Sequence, residues 1–288
     1  MSGYAEYLIE SRKVMWNEDY MRFLVERVWK IEKPVNIIDF GCGVGFLGAA
    51  LLPMLPEGCA YTGIDVEKAH LDEARKYFTD KKYTAEFVEY DLHEYEPVKK
   101  YGVAICQAVL MHVPNAKSVL KKMRDSVIPG GLVICIECDR NMANASMFFD
   151  GIDYRKTINL GILQKIWLND FDRTGSDYNI ALKIPVYMRE LGLKYVGVRT
   201  NDCVSFIDPD GGADEYEKQY NAFVSGGWGA EDASESEKVA SLIERGLTED
   251  EAKYQFLCEE ITNKYVRENK KSARIVSAHN LIISFGTV

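Results

Sequence analysis

The sequence Ile37-Ile38-Asp39-Phe40-Gly41-Cys42-Gly43-Val44-Gly45-Phe46 indicates the fold of this chain. Its first four residues are apolar apart from Asp39, which is typical of a buried strand. Three closely spaced glycines follow, and Phe46 to Leu52 has the pattern of a helix. Glycine lets the backbone turn tightly and lets a ligand approach where a Cβ would clash. The start of the helix offers unpaired N–H groups. The stretch therefore predicts a strand, a ligand-binding loop and a helix.

The details of this loop separate two classes of ligand. A dinucleotide-binding loop carries glycines in the pattern GxGxxG. Here Gly41, Gly43 and Gly45 have the spacing GxGxG, and Phe46 stands where a third small residue would be needed. Asp39 lies two residues before the first glycine, where its carboxylate would repel a pyrophosphate. The same carboxylate would favour a ligand that carries an ammonium or sulfonium group, so the loop predicts a cationic ligand.

Two further acids follow predicted strands. Asp65 ends the second strand, where a carboxylate can accept hydrogen bonds from both hydroxyl groups of a ribose. Asp91 follows the third strand and could accept a hydrogen bond from the amino group of an adenine. An Asp at the end of a strand can also simply cap the next helix. Three such acids at successive strand ends, together with a glycine loop, favour the ligand-binding interpretation.

Short apolar runs alternate with helical patterns from residue 35 to about residue 140. Ala116 to Val127 places its apolar residues on one face of a helix, and Pro129-Gly130-Gly131 turns the chain into the next strand. This alternation predicts an α/β fold, a doubly wound parallel sheet with helices on both faces. The runs that predict its buried strands are Val35–Phe40, Ala60–Ile64, Ala85–Tyr90, Gly102–Gln107 and Leu132–Glu137.

These segments resemble those of the class I, Rossmann-like S-adenosylmethionine-dependent methyltransferases. Asp39 to Gly45 is similar to the family's motif I. Gly63-Ile64-Asp65 resembles its ribose-binding motif, and Tyr90-Asp91-Leu92 resembles its adenine-contacting one. Gln107 to His112 resembles the segment that lines the methionine end of the cofactor. The resemblance is specific over residues 35–137, and it implies a mostly parallel seven-stranded sheet whose last strand is antiparallel.

The resemblance also implies an activity, the transfer of a methyl group from S-adenosyl-L-methionine, which leaves S-adenosyl-L-homocysteine. Such a transfer is an in-line displacement, for which the protein mainly supplies alignment and exclusion of water. His112 is the candidate catalytic base, and packing beside the cofactor is its alternative role. No histidine has the spacing of metal ligands, so no metal is expected. The residues expected to bind the cofactor are Asp39, Gly41, Cys42, Gly43, Gly45, Asp65, Asp91, Leu92, Gln107 and Met111.

The predicted methyl acceptor is a small molecule, and Glu137 at the end of the fifth strand is a hypothetical contact to it. Methyltransferases that act on base amino groups carry an Asn/Asp-Pro-Pro-aromatic signature after the fourth strand, where this chain reads Ile105-Cys106-Gln107-Ala108. Its absence and the acidic charge argue against a nucleic-acid partner. A peptide or protein acceptor stays open. The chain could also be a non-catalytic protein that binds S-adenosylmethionine. A third alternative is an NAD(P)-dependent oxidoreductase, and Asp39 and Phe46 argue against it.

The composition is that of a folded protein, with 47% hydrophobic and 27% charged residues and a net charge of −9. No apolar run approaches the ~20 residues that span a bilayer, so no membrane partner is expected. Seven cysteines scattered through apolar segments indicate a reducing, cytoplasmic location. Residues 208–237 carry −8 of the charge. We expect a solvated acidic loop there, which could steer a cationic acceptor.

The predicted organisation has three parts. Residues 1–34 form an N-terminal helical cover, residues 35–200 and 276–288 the methyltransferase core, and residues 201–275 a helical insertion that acts as a lid. In this insertion Thr248 and Glu251 predict a capping box at the start of the last helix. The side of that helix predicted to be buried consists of Tyr254, Leu257, Cys258, Ile261 and Tyr265.

Overall fold

The computed structural model describes residues 12, 15–79, 83–157, 159–229, 234–278 and 280–288. Its strands are β1 (Asn36–Phe40), β2 (Ala60–Asp65), β3 (Thr84–Glu89), β4 (Tyr101–Gln107), β5 (Val127–Cys138), β6 (Met147–Phe149), β7 (Lys194–Thr200), β8 (Val204–Ile207), β9 (Ile275–Ala278) and β10 (Leu281–Thr287). Its α-helices are α1 (Glu18–Phe23), α2 (Phe46–Leu51), α3 (Lys68–Phe78), α4 (Ala116–Asp125), α5 (Arg140–Ala145), α6 (Leu160–Thr174), α7 (Ile184–Glu190), α8 (Ala213–Ser225), α9 (Glu235–Glu244) and α10 (Glu249–Glu268). Across the described ranges, no helix is both long and apolar enough to cross a bilayer.

The larger sheet has seven strands in the order β3-β2-β1-β4-β5-β10-β7. Strands β1 to β5 pair in parallel, and β10 is antiparallel to both of its neighbours, β5 and β7. The predicted doubly wound, mostly parallel sheet with an antiparallel last strand is therefore confirmed. The strand order reverses between β1 and β4. In such sheets ligands bind in the crevice outside the carboxyl ends of the strands at this point.

The central strands of this sheet are buried on both faces because helices pack on each side. In β1 every residue from Ile37 to Phe40 is buried, and in β4 every residue from Val103 to Gln107. The edge strand β3 instead exposes Thr84, Glu86 and Glu89. The carboxyl ends of β1 and β4, with the predicted site residues Asp39 and Gln107, thus lie in the core.

One predicted boundary between helix and strand is wrong. The helix predicted to extend from Ala116 to Val127 ends at Asp125, because β5 already begins at Val127 and continues through the proline–glycine turn. Gly130 in this turn has φ +81°, and Gly131 packs so tightly that a Cβ there would lie 2.5 Å from the carbonyl oxygen of Gly102. The turn is therefore an irregularity inside a long strand rather than a break before a short one.

The chain divides into two compact units. The first comprises residues 1–138, 180–202 and 281–288, and it holds the seven-stranded sheet. The second comprises residues 139–179 and 203–280. This division differs from the predicted one, since residues 139–179 group with the second unit. There β6 pairs with β9, which ties the segment after β5 to the later residues. The lid role of residues 201–275 stays a prediction.

The second unit is not purely helical, as the insertion was predicted to be. It contains an antiparallel sheet in the order β6-β9-β8. One face of this sheet, with Phe149, Ile275 and Ile207 in direct register, is buried in a core with residues of α8 and α10. The acidic segment 208–237 is also no simple loop, because it contains α8 and the start of α9. Asp208 and Asp210 at its beginning both pair with Arg274.

Helix α10 begins at the predicted capping box but buries a different face. The side chain of Thr248 accepts a hydrogen bond from Glu251 N, and the Glu251 side chain accepts one from Thr248 N, so the box is confirmed. Tyr254 and Leu257, predicted to be buried, are 42% and 53% exposed. The helix turns its smaller side inward because a close neighbour packs there: a Cβ on Gly229 would lie 2.7 Å from Cγ1 of Val266. The residues buried on this side are Ala252, Gln255, Cys258, Thr262, Asn263 and Val266.

Candidate cofactor site

The glycine loop between β1 and α2 has the strand–loop–helix geometry that the sequence predicts. Gly41, Gly43 and Gly45 all have positive φ, at +70°, +53° and +78°. The backbone N–H groups of Gly41 and Cys42 both donate to the carbonyl oxygen of Ile64, at 2.8 and 3.0 Å. These bonds fix the loop to the carboxyl end of β2, which lies beside the carboxyl end of β1.

The three glycines meet different surroundings. A Cβ on Gly41 would lie 2.6 Å from Cγ2 of Val109, in the segment after β4. A Cβ on Gly45 would lie 2.9 Å from Cε2 of Phe78 on α3, so this glycine allows close helix–sheet packing. A Cβ on Gly43 would have nothing within 4 Å in the described part of the chain. Gly43 therefore borders open space, where a ligand can approach the backbone.

Asp39 is 1% exposed, and its Oδ2 accepts a hydrogen bond of 2.6 Å from the hydroxyl of Tyr61. Burial raises the pKa of Asp39 to about 7, against the lowering effect of this hydrogen bond. Tyr61 lies under α2, where a Cβ on Gly48 would be 2.4 Å from its ring. A cation next to the Asp39 carboxylate would favour its charged form. The preference of this site for a positively charged ligand stays a prediction.

Asp65 lies at the carboxyl end of β2, with its side chain 12% exposed. Its Oδ2 accepts from Gly43 N at 2.8 Å, and its Oδ1 accepts from Glu67 N at 2.9 Å. His70 Nδ1 lies 3.8 Å from Oδ1. Each carboxylate oxygen has capacity for more than one hydrogen bond. Asp65 therefore positions the glycine loop and can still accept from a ligand hydroxyl.

Asp91 has a local role in the structure. Its exposed side chain accepts a hydrogen bond of 2.7 Å from His93 N, and its carbonyl oxygen accepts from Glu94 N and Tyr95 N. The carboxylate thus caps its own turn, which is the alternative that the sequence left open. Leu92, the next residue, is buried.

A pocket opens at the carboxyl ends of β1 and β4. It contains five of the predicted cofactor-binding residues together with four others. Gln107 is 8% exposed, and both of its side-chain amide atoms are buried without a hydrogen-bond partner in the described part of the chain. Unpaired buried amides are costly, so this side chain indicates a ligand that would complete its hydrogen bonds. The pocket is lined by Arg12, Asp39, Gly41, Cys42, Gly43, Val44, Phe46, Leu47 and Gln107.

The segment after β4 is held by the end of β5. Ala108 has φ +55° and donates its N–H to the carbonyl oxygen of Ile136 at 2.9 Å. Val109 N and Leu110 N both donate to Oε1 of Glu137, at 2.9 and 2.8 Å. Glu137 is 0% exposed, and burial raises its pKa to about 7 against the effect of these bonds. The hypothesis that Glu137 faces an acceptor is therefore wrong.

His112 and Met111 follow in the same segment. His112 N donates to the carbonyl oxygen of Val109 at 2.9 Å, which closes a turn, and the His112 side chain is exposed. Met111 is 2% exposed and so belongs to the core. The candidate base thus lies five residues beyond Gln107, at the surface of the first unit.

The sequence alone did not indicate Arg12, Tyr61 or the anchoring role of Glu137. Arg12 is far from the glycine loop in the chain, and no local pattern links the two. Burial raises the pKa of the Cys42 thiol beside the pocket, so this cysteine is an unreactive wall residue. All seven cysteines are free. Within the described ranges, no group of three or more His, Cys, Asp or Glu side chains is arranged to hold a metal ion.

Comparisons with known proteins relate part of this chain to methyltransferases. Residues 38–133 match the family model of a methyltransferase domain. A ubiquinone biosynthesis O-methyltransferase of Shewanella halifaxensis is 32% identical over 109 residues, 37% of this chain and 45% of that protein. The enzyme of the same name from Rickettsia typhi is 28% identical over 135 residues, 47% of this chain and 48% of that protein. The chain thus spans about half the length of these curated relatives.

Solved structures share the fold at low sequence identity. A phosphoethanolamine N-methyltransferase of Haemonchus contortus in complex with S-adenosyl-L-methionine is 10% identical with a TM-score of 0.52, covering 96% of this chain and 56% of that one. A putative methyltransferase of Bacillus halodurans is 11% identical with a TM-score of 0.51, covering 92% of this chain and 97% of that one.

Proposed function

We propose that this chain binds S-adenosylmethionine in the pocket beside the glycine loop and transfers its methyl group to a small-molecule acceptor. The observation that carries this proposal is the set of polar groups in one pocket: Arg12, Asp39 and the unpartnered amide of Gln107. An amino-acid group carries an ammonium and a carboxylate, so it can pair with both charges and complete the amide's hydrogen bonds. The glycine loop leaves room for the ligand at Gly43.

Different residues of the pocket would bind different parts of the cofactor. Asp39 supplies a negative charge next to the cationic part of the ligand, and Arg12 a positive charge next to its carboxylate. Asp65 is placed to accept from ribose hydroxyls while it holds Gly43. Phe46 and Leu47 supply apolar walls that exclude water. When bound, S-adenosylmethionine supplies an electrophilic methyl group on a sulfonium, and the departing thioether needs no acid from the protein.

His112 stays our proposed base, for acceptors whose nucleophile starts protonated. It follows the segment that Glu137 anchors, close in sequence to Gln107 in the pocket. As an exposed imidazole, the His112 side chain can accept a proton from such a nucleophile and pass it to water.

Two of the similar proteins support a small-molecule acceptor without fixing the acceptor atom. One is named an O-methyltransferase of ubiquinone biosynthesis, and the other is a phosphoethanolamine N-methyltransferase. The expectation that nucleic acids are not acceptors rests on the sequence, as above. The free state of all seven cysteines is compatible with the predicted cytoplasmic location.

Equilibrium titration with S-adenosylmethionine, S-adenosylhomocysteine and NAD tests the proposal. We expect the first two to bind and NAD not to bind. Asp65→Asn should weaken binding about 10- to 100-fold, because hydrogen bonds to a charged group contribute ~1.5–3 kcal/mol. Asp72→Asn removes an exposed acid on α3 that pairs with Arg75, and it serves as the matched control with unchanged affinity. Preferred binding of NAD, or an unaltered affinity of Asp65→Asn, would refute the proposed site.

A further inference from the structure

We propose that Glu137 is the positioning residue of the cofactor pocket, acting through the backbone of the segment after β4. The effect on cofactor binding rests on the proposed function. The contacts between Glu137 and this segment do not depend on any ligand. A single oxygen of Glu137, Oε1, accepts from two successive backbone N–H groups, those of Val109 and Leu110. Two consecutive N–H groups that converge on one anion fix the backbone between them.

The anchored backbone is one that would not keep its conformation unaided. Ala108 has φ +55°, the left-handed region, which is unfavourable for a residue with a Cβ. Such a conformation persists only where its surroundings hold it in place. Ala108 is held on one side by its own bond to the carbonyl oxygen of Ile136 and on the other by the two bonds to Glu137. Both anchors belong to consecutive residues of β5.

The same segment forms part of the pocket. Gln107 immediately precedes Ala108, and its unpartnered amide lines the pocket beside Asp39. Val109 packs on the glycine loop, since a Cβ on Gly41 would lie 2.6 Å from its Cγ2. A change in the backbone at residues 108–110 would therefore displace both the amide of Gln107 and the first glycine of the loop. Through these two contacts Glu137 sets the geometry of a site that it does not touch.

Glu137 is not the residue that stability alone would favour at this position. It is 0% exposed, and within the described ranges its second oxygen, Oε2, has no hydrogen-bond partner. The thiol of Cys106 donates a long hydrogen bond of 3.9 Å to Oε1. A buried carboxylate without a cationic partner destabilises a folded chain. Glu137→Gln should therefore keep or raise the thermal stability of the chain. The same change should weaken the hydrogen bonds that hold residues 109 and 110.

The experiment compares Glu137→Gln and Glu137→Leu with the wild-type chain and with Ser284→Ala. Ser284 is the matched control because it is equally buried, its hydroxyl is also unpartnered among the described residues, and it is paired in register with Cys135 on the same face of the sheet. Three quantities are measured: the affinity for S-adenosylhomocysteine, the hydrogen-exchange protection of Val109 and Leu110, and the thermal midpoint.

We expect Glu137→Gln to lower both the affinity and the protection about tenfold, because it removes the charge assistance of two hydrogen bonds. Glu137→Leu should lower both further, because no acceptor is left. The thermal midpoint of Glu137→Gln should not fall, and Ser284→Ala should keep both affinity and protection within about twofold.

Two results would overturn the inference. One is unchanged affinity and protection in both Glu137 variants, and the other is an equal loss of affinity in Ser284→Ala. If the wild-type chain does not bind S-adenosylhomocysteine, the proposed function fails. The exchange measurement then still decides whether Glu137 holds the segment.

Discussion

The contact between Gly41 and Val109 can be tested by adding a single methyl group. Gly41 has φ +70°, and its new Cβ would lie 2.6 Å from Cγ2 of Val109. In Gly41→Ala the left-handed backbone costs about 1–2 kcal/mol. Forcing an extra methyl against a packed side chain costs about 1–3 kcal/mol more. We therefore expect the free energy of unfolding to fall by about 2–5 kcal/mol.

Gly43→Ala is the control that separates these two contributions. Gly43 also has a positive φ, +53°, but its Cβ would have nothing within 4 Å in the described part of the chain. It should lose only the backbone contribution of about 1–2 kcal/mol. Because Gly43 borders the proposed cofactor pocket, this variant should nevertheless bind S-adenosylmethionine more weakly.

Urea unfolding of the purified variants measures the free energies, with Val109→Ala completing a double-mutant cycle. Truncation of Val109 in the Gly41→Ala background should recover most of the packing contribution, and we expect a coupling energy of about 1 kcal/mol or more. If Gly41→Ala is no less stable than Gly43→Ala, the close approach of Val109 is not what requires the glycine. Strictly additive losses of stability in Gly41→Ala and Val109→Ala would also refute a close contact between the two residues.

Two further predictions concern titrating groups. If His112 is the base, His112→Ala should slow methyl transfer about 10²- to 10⁴-fold while the affinity for S-adenosylmethionine stays within twofold; a loss of affinity in a binding assay would support the packing role instead. Burial raises the pKa of Asp39 from an ordinary value of 3.8 to about 7. The folded chain therefore favours the protonated carboxyl. The contribution of this carboxyl to the free energy of unfolding is complete below pH 3.8 and is lost as the pH rises through 7. Asp39→Asn should therefore gain stability relative to the wild-type chain as the pH rises from 4.5 to 8, by about 4 kcal/mol in the limit. A stability difference that does not change over this pH range would contradict the placement of Asp39 in the core.

Local patterns were sufficient for the sheet and for part of the site. The glycine loop and the buried β1 are read from adjacent residues, because glycine spacing and runs of apolar residues act over a few positions. The capping box of α10 was also predicted correctly, since both of its partners lie within four residues. The buried face of α10 was not, because Gly229 and the other elements around it decide which side of the helix turns inward.

By itself the sequence determined the doubly wound sheet, the glycine loop and the acids at the strand ends. Only the tertiary structure decided how these acids are used. Asp39 pairs with Tyr61, Asp65 holds Gly43, and Glu137 anchors the segment after β4. Each pair joins residues at least 22 positions apart. The register of neighbouring strands and the packing of helices on the sheet create these contacts, and no local pattern in the chain encodes them.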